Sequence, residues 1–280
     1  MIGVIGCGGH AKRHVKYLQE LGQEVVLYHP IKHPDFKKLF DCDGVVISSP
    51  TSTHMHYVRR LSDYSGKIYL EKPGFKTLDE ALELENCGLN IMIGYHYPHT
   101  ILKKVSDMIK GETILSFDVI MSKGIAYKKS YKDSIKSRGS VSELGLGHVI
   151  SIYKLFGGNI SDLKTELYYN EENGVHDTAV AVAPRFRGTF TWGGPVLDPH
   201  MNIVTTNSLV SVSSSDIIVR SPRDTFDSNG WFIDPPVTFY KSIDGFNIKP
   251  CLEYFLHNDV FTKDKLKESI DISLICYYNK

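Results

Sequence analysis

Apolar residues along the first hundred positions alternate between two spacings. Residues 2–6, IGVIG, form a short unbroken apolar run. In the stretch that follows, GHAKRHVKYLQEL, Ala11, Val15, Leu18 and Leu21 recur at helical spacing until Gly22 ends the pattern. The alternation then repeats. EVVLY reads as a strand, DFKKLF as a short helix, GVVIS as a strand, STHMHYVRRLSDY as a helix and KIYL as a strand; TLDEALELENC is a helix opened by Thr77 as N-cap, and NIMIG is a further strand. Strands rich in Val and Ile, apolar on both sides and separated by helices, predict a parallel sheet covered on both faces. Ligands of such sheets bind beyond the carboxyl ends of the strands.

From about residue 98 the pattern changes. TILSFDVIMSKG, KTELYYN, VHDTAVAVA, RFRGTFTWGG, NIVTTN and SLVSVSSS are successive strand-like stretches separated by turn residues, with one long helical insertion at 140–156. The expected architecture is α/β: a doubly wound parallel sheet over residues 1–97, then an α+β domain with a largely antiparallel sheet over 98–280. A C-terminal helix is expected at about 263–278, with the possibility of packing back on the first domain.

Composition narrows the function classes. The chain has 280 residues, 42% hydrophobic and 23% charged, which suits a soluble two-domain protein, and no apolar run approaches the roughly 20 residues that span a bilayer. The cytoplasm is the expected location. The 32 basic and 32 acidic residues cancel, so no net field recruits nucleic acid or an anionic membrane, and an anionic ligand must be held locally. The five cysteines are widely spaced without a C-x-x-C pair, which argues for reduced thiols. HMH and HYPH lack a cysteine or carboxylate partner at ligand spacing, so no metal site is expected.

The glycine loop carries the strongest local chemistry. Gly6-Cys7-Gly8-Gly9-His10-Ala11 fits G-x-G-x-x-G/A, follows the first strand directly and opens the first helix, the context of a dinucleotide-binding turn. Gly6 permits the tight turn, Gly8 lets a pyrophosphate approach the backbone, and small Ala11 lets helix and strand pack closely. The free amides and positive end of the helix dipole favour phosphate. The second strand ends in LYHPIKHP, with His29 where an acid usually meets the adenosine ribose and Lys32 just beyond. Lack of the acid near basic groups leaves room for a 2′-phosphate, so NADP is preferred over NAD.

Three further segments complete a pattern: DGVVISSPTSTHMHYV (43–58), YLEKPG (69–74) and NIMIGYHY (90–97) follow the glycine loop in that order. With them the chain resembles, over nearly its whole length, the glucose-fructose oxidoreductase, inositol dehydrogenase and rhizopine-catabolism (Gfo/Idh/MocA) family of NAD(P)-dependent oxidoreductases. The resemblance implies that Glu71 and Lys72 lie beside the nicotinamide, with Lys72 facing the reacting carbon and a Lys72-Pro73 bond that is often cis. It also implies that Ser49, Pro50 and His54 support the nicotinamide half of the cofactor. An ammonium at the mouth of a low-dielectric site polarises a carbonyl oxygen as it gains hydride, or lowers the pKa of an alcohol that loses it. The implied substrate is a polyhydroxylated small molecule such as a sugar, nucleotide sugar or cyclitol, and the antiparallel sheet is expected to support a homo-oligomer, dimer or tetramer.

In one segment the chain departs from the family. Where relatives carry D-x-G-x-H-x-x-D this chain reads ELGLGHVI, so Glu143, Gly145, Gly147 and Ile150 occupy the four positions and His148 stands one place late, a helical rotation of about 100°. Proton transfer is therefore left open among His148, Lys72, His96 and His176, any of the imidazoles being suited to it near neutrality. A catalytically silent regulatory protein on the same fold is the alternative reading. The AYKKSYKDSIKSRG segment reads as a solvated loop, and Trp192 and Trp231 as sheet packing or a subunit contact.

Overall fold

A computed structural model of the chain describes residues 1–123, 145–170, 175–192, 197–221, 226–231, 233–243 and 245–277. They form two compact units, one of Met1–His99 with the C-terminal segment from Asn247 onward, the other of Thr100–Phe246.

The first unit is built on five short strands: β1 (Ile2–Ile5), β2 (Val25–Tyr28), β3 (Gly44–Ile47), β4 (Lys67–Leu70) and β5 (Asn90–Ile93). All pair in parallel, in the order β2-β1-β3-β4-β5. Every residue of β1, β3 and β4 is buried, as expected of strands covered on both faces. The chain leaves β1 to form β2 on one side and then returns to form β3 on the other. The carboxyl ends of β1 and β3 thus flank a topological switch point, where open α/β sheets bind ligands.

Local sequence sets the helix ends. Helix α1 (Gly9–Glu20) closes with Gly22 at φ 75° while Gln23 N–H bonds Leu18 O and Gly22 N–H bonds Gln19 O, a Schellman closure that satisfies the last carbonyls. Helix α2 (His54–Arg60) is shorter than its pattern suggests, because residues 51–53 form a tight 3₁₀ turn after Pro50; DFKKLF likewise ends in a 3₁₀ turn, Lys37–Asp41. Helix α3 (Leu78–Asn86) begins at the expected Thr77 cap, whose hydroxyl accepts from Glu80 N–H, and Glu80 Oε2 reaches back to Lys76 N–H at 2.7 Å.

In the second unit, helix α4 (Leu102–Met108) precedes β6 (Ile114–Lys123), and helix α5 (Gly147–Leu155) precedes β7 (Lys164–Asn170), β8 (Val175–Ala183), β9 (Phe186–Trp192), β10 (Leu197–Thr205), β11 (Leu209–Val212), β12 (Asp216–Arg220) and β13 (Val237–Ser242). Among the described residues these strands form one sheet, ordered β13-β12-β11-β10-β6-β9-β8-β7, antiparallel except where β6 meets β9. Alternation of period two sorts its faces: Val119, Ala179, Met201 and Ile217 are buried, whereas Ile120, Tyr168, Val204 and Tyr240 lie exposed. Helix α5 lies close on β9, where a Cβ added to Gly188 would fall 2.2 Å from Val149 Cγ1. The AYKKSYKDSIKSRG segment and Glu143 lie outside the described residues, as does the side chain of Trp192; Trp231 is 73% exposed.

The C-terminal segment completes the first unit with α6 (Lys249–His257) and α7 (Lys263–Tyr277). Cys251, Leu252 and Phe255 of α6 join Ile2, Val4, Leu18 and Tyr69 in one core. At the amino ends of β4 and β5, Lys67 Nζ donates to Leu256 O at 2.7 Å and Asn258 O at 3.1 Å, and Asn90 bonds Asp259 O and Phe261 N–H. Deeper in, Tyr95 and Ser273 share a 2.7 Å hydroxyl contact. The Lys67 and Asn90 bonds occupy the amino ends of β4 and β5, whereas the glycine loop follows the carboxyl end of β1. Truncating Phe255, fully buried against β1 and β4, removes a ring from the seam that holds α6; Phe255→Ala is expected to destabilise the protein by about 3–5 kcal/mol in urea titrations.

Candidate functional site

Beyond the carboxyl end of β1 the backbone turns sharply at Gly6, at φ 124°; a Cβ there would lie 2.6 Å from Ser48 O at the end of β3, so only glycine closes the turn. Two residues later the opposite holds. A Cβ added to Gly8 or Gly9 meets nothing within 4 Å, and both are exposed. No side chain caps α1 and no acid stands in its first turn, so its leading N–H groups face an open space of positive potential. Ala11 beneath is 1% exposed, packed in the core. Open backbone over an uncapped helix end, with a small residue at the helix and strand contact, fits a dinucleotide pyrophosphate. His10 is exposed, within the electrostatic reach of Glu71 and Lys72.

The sixth residue of α1 adds to the expected apolar stripe, whose Ala11, Val15, Leu18 and Leu21 pack in or against the core. The helix buries Ala11, His14 and Leu18, leaving Val15 only half-buried. His14 is wholly inaccessible and its Nε2–H donates to Glu71 Oε1 at 2.6 Å. Its ring meets Tyr69 edge-on, centroids 5.3 Å apart, and its Nδ1 is buried without a hydrogen-bond partner. Sequence reasoning missed His14; its available signal was an imidazole three residues after Ala11, within the apolar stripe.

Glu71 directly follows β4, with its N–H bonded to Ile47 O. Burial pushes its carboxyl pKa up, but the hydrogen bond from His14, with the charges of His14, His10 and Lys72, outweighs this and holds it near 2. Lys72 is half-buried beside it, and the Lys72-Pro73 bond is cis, as the family resemblance implies. Pro73 O meets His54 Nδ1 at 2.9 Å, and His54 Nε2 meets Ser49 O at 2.9 Å. His54 therefore bridges the Glu-Lys-Pro corner and the turn after β3. Its desolvation lowers the imidazole pKa, with the two carbonyls acting in the opposite direction. Ser49 Oγ accepts from Thr53 Oγ1 at 2.8 Å, and Pro50, exposed, starts the 3₁₀ turn.

At the end of β2, His29 Nδ1 accepts from the N–H groups of Ile31 and Lys32, both at 3.2 Å, inside a turn closed by pairing of His29 with His33. That nitrogen carries no proton while these bonds hold, so the imidazole presents Nε2–H outward, with exposed Lys32 beside it. Both are donors, suited to a phosphate or to ribose oxygens.

The other candidate histidines are divided between the units, His96 in the first and His148 and His176 in the second. His96, half-buried in the first unit after β5, stacks on Tyr97 with centroids 4.2 Å apart. His148 is buried in the first turn of α5, its carbonyl accepting from Ser151 Oγ. His176 is half-buried on β8, its ring edge-on to Tyr169 across the strand pair. Among the described residues no group of three or more His, Cys, Asp or Glu is placed to hold a metal ion, and no helix is long and apolar enough to cross a membrane.

Because the folded Glu71 carboxyl lies below its ordinary value of 4.5, its contribution to stability is complete above that pH and is lost as the pH falls towards 2. The unfolding free energy of the wild type minus that of Glu71→Gln is therefore expected to be flat at neutral pH and to shrink across that acid window in denaturant titrations.

No protein-family model matches this sequence, and no curated protein matches it. Solved structures are similar along its whole length. A UDP-N-acetylglucosamine 3-dehydrogenase from Acidithiobacillus ferrooxidans is 14% identical at a TM-score of 0.74, with 99% of this chain and 95% of that one aligned. An oxidoreductase from Agrobacterium radiobacter in complex with NAD+, L-tartaric acid and magnesium is 13% identical at a TM-score of 0.70, with 99% and 94% aligned. The transcriptional regulator Gal80p from Kluyveromyces lactis is 15% identical at a TM-score of 0.75, with 99% and 87% aligned. What this chain shares with all three is the fold: a Rossmann-like parallel sheet joined to a mostly antiparallel one, as the sequence pattern leads one to expect.

Proposed function

We propose that the chain is an NADP- or NAD-dependent oxidoreductase that transfers hydride between the nicotinamide and a carbinol or carbonyl carbon of a polyhydroxylated small molecule such as a sugar, nucleotide sugar or cyclitol. The observation that carries the reading is the pairing of an open, uncapped helix end at Gly8 and Gly9 with a buried Glu71 and a Lys72-cis-Pro73 corner on the same end of one sheet. Structural likeness to oxidoreductases supports it.

In this reading the α1 amides bind the pyrophosphate, while Nε2–H of His29 and Lys32 meet the adenosine ribose. Donors there, with no carboxylate, favour a 2′-phosphate and hence NADP. Ser49, Pro50 and His54 shape the nicotinamide side. A bound nicotinamide supplies or accepts the hydride. Lys72 stabilises the negative charge that develops on the substrate oxygen, and an imidazole of His96, His148 or His176 moves the proton. The exposed sheet residues Ile120, Tyr168, Val204 and Tyr240 suit association with a second copy of the chain.

Likeness to the regulator Gal80p, together with the displaced His148, favours a second reading in which the chain binds dinucleotide without turning it over. Nicotinamide absorbance with a panel of sugars, nucleotide sugars and cyclitols separates the two. Turnover that falls about 10²–10³-fold in Lys72→Ala upholds catalysis; dinucleotide binding with no turnover across the panel upholds the regulatory reading. Gly8→Val fills the open space without forcing a positive φ. It is expected to leave the melting transition nearly unchanged and to weaken NADPH binding about tenfold or more by fluorescence titration.

A further inference from the structure

We infer that His14 is a positioning residue of this site: by donating Nε2–H to Oε1 of Glu71 it fixes the carboxylate, ionised and oriented, behind Lys72 at the edge where a dinucleotide would lie. The inference rests on the dinucleotide reading above for what the carboxylate contacts, but not for the bond itself.

Three observations carry it. The bond joins residues 57 positions apart, is 2.6 Å long, and has a wholly buried donor, so it is not an incidental surface contact. His14 leaves its own Nδ1 buried and unpartnered, a cost that an apolar residue at this helix position would avoid. Meanwhile 12% of the Glu71 side chain stays exposed, so the residue is not sealed off from the edge of the site. A carboxylate accepts from N–H and O–H donors, whereas a protonated carboxyl has lost part of that capacity.

The remaining ionisable groups around Glu71 do not replace this bond. His10 on α1 and Lys72 act on it through their charges, Tyr69 on β4 and Cys251 on α6 are neutral groups whose own ionisation burial suppresses, and both ring nitrogens of His54 on α2 lie 2.9 Å from carbonyl oxygens rather than against Glu71. Without the His14 donor, desolvation acts on Glu71 against charge alone.

The test uses the full chain with ¹³C-labelled glutamate, the Glu71 carboxyl resonance being assigned by its loss in Glu71→Gln. His14→Phe keeps a ring against Tyr69 and removes the donor; His14→Gln keeps an N–H donor on a side chain of similar reach. In His14→Phe the Glu71 midpoint is expected to rise by about two pH units or more. NADPH and NADH affinity of His14→Phe, taken relative to the wild type at the same pH, is expected to fall on the acid side of the new midpoint by up to about tenfold per unit. His14→Gln is expected to restore both, and Glu71→Gln to bind weakly at every pH. A Glu71 titration in His14→Phe that superimposes on the wild type overturns the inference, as does a relative affinity that, measured through the risen midpoint, stays flat on its acid side. Should His14→Phe not fold, the comparison passes to His14→Gln and Glu71→Gln: wild-type binding at every pH in Glu71→Gln is equally fatal to it. If the wild type binds neither NADPH nor NADH, the dinucleotide reading fails, and the carboxyl titration still decides whether His14 holds Glu71.

Discussion

A carboxylate at the end of a buried strand needs a partner, and in this protein the partner is His14 on the first helix. The 2.6 Å bond from His14 to Glu71 ties two features that the chain separates by 57 residues, the helix whose N-terminus faces the phosphate-sized opening and the strand that ends in Glu71-Lys72-Pro73. From Pro73 the connection continues through His54 to Ser49 at the end of β3. The ends of β3 and β4 and the helices α1 and α2 are thereby held in one arrangement. Chemistry that depends on a fixed ammonium beside a flat ring requires that kind of rigidity, because electrostatic stabilisation is effective only when the charge is already in place.

The rest of the first unit serves the same end. The C-terminal helices return to the parallel sheet and bond its amino ends through Lys67 and Asn90, while Phe255 and Leu252 seal the face that α1 also covers. Lys67 is nearly buried, and its ammonium satisfies carbonyls at the end of α6, which a cation at a helix C-terminus is suited to do. Gly6, Ser48 and Glu71 converge at the opposite, carboxyl ends of β1, β3 and β4.

Electrostatics in the site run against the simple expectation from burial. Desolvation pushes the Glu71 carboxyl towards its neutral form, yet the hydrogen bond from His14 and the nearby cationic groups outweigh it and keep the group ionised. The same fold is found in dehydrogenases and in a transcriptional regulator, so the architecture does not choose between them. The choice lies with individual side chains, above all Lys72 and the histidines.

Periodicity and turn chemistry suffice to read the parallel sheet, the Thr77 cap and the glycine loop from sequence, because each is encoded by residues within a turn or a strand of one another; the Glu-Lys-Pro corner is legible only through the family resemblance. Gly6 is needed where φ reaches 124° and Gly8 where the backbone must stay open, and both needs are written in one hexapeptide. The strands β12 and β13 and the helices α4 and α6 do not stand out in the sequence pattern; β13, for one, is almost wholly exposed and lacks a buried alternate face. Three features belong to the tertiary structure alone: His14 as the donor to Glu71, His54 between two carbonyls, and His29 turned inward on its own loop. A histidine on a helix stripe looks like any other amphipathic position until the strand it faces is known, since its meaning lies in a hydrogen bond to a distant part of the chain.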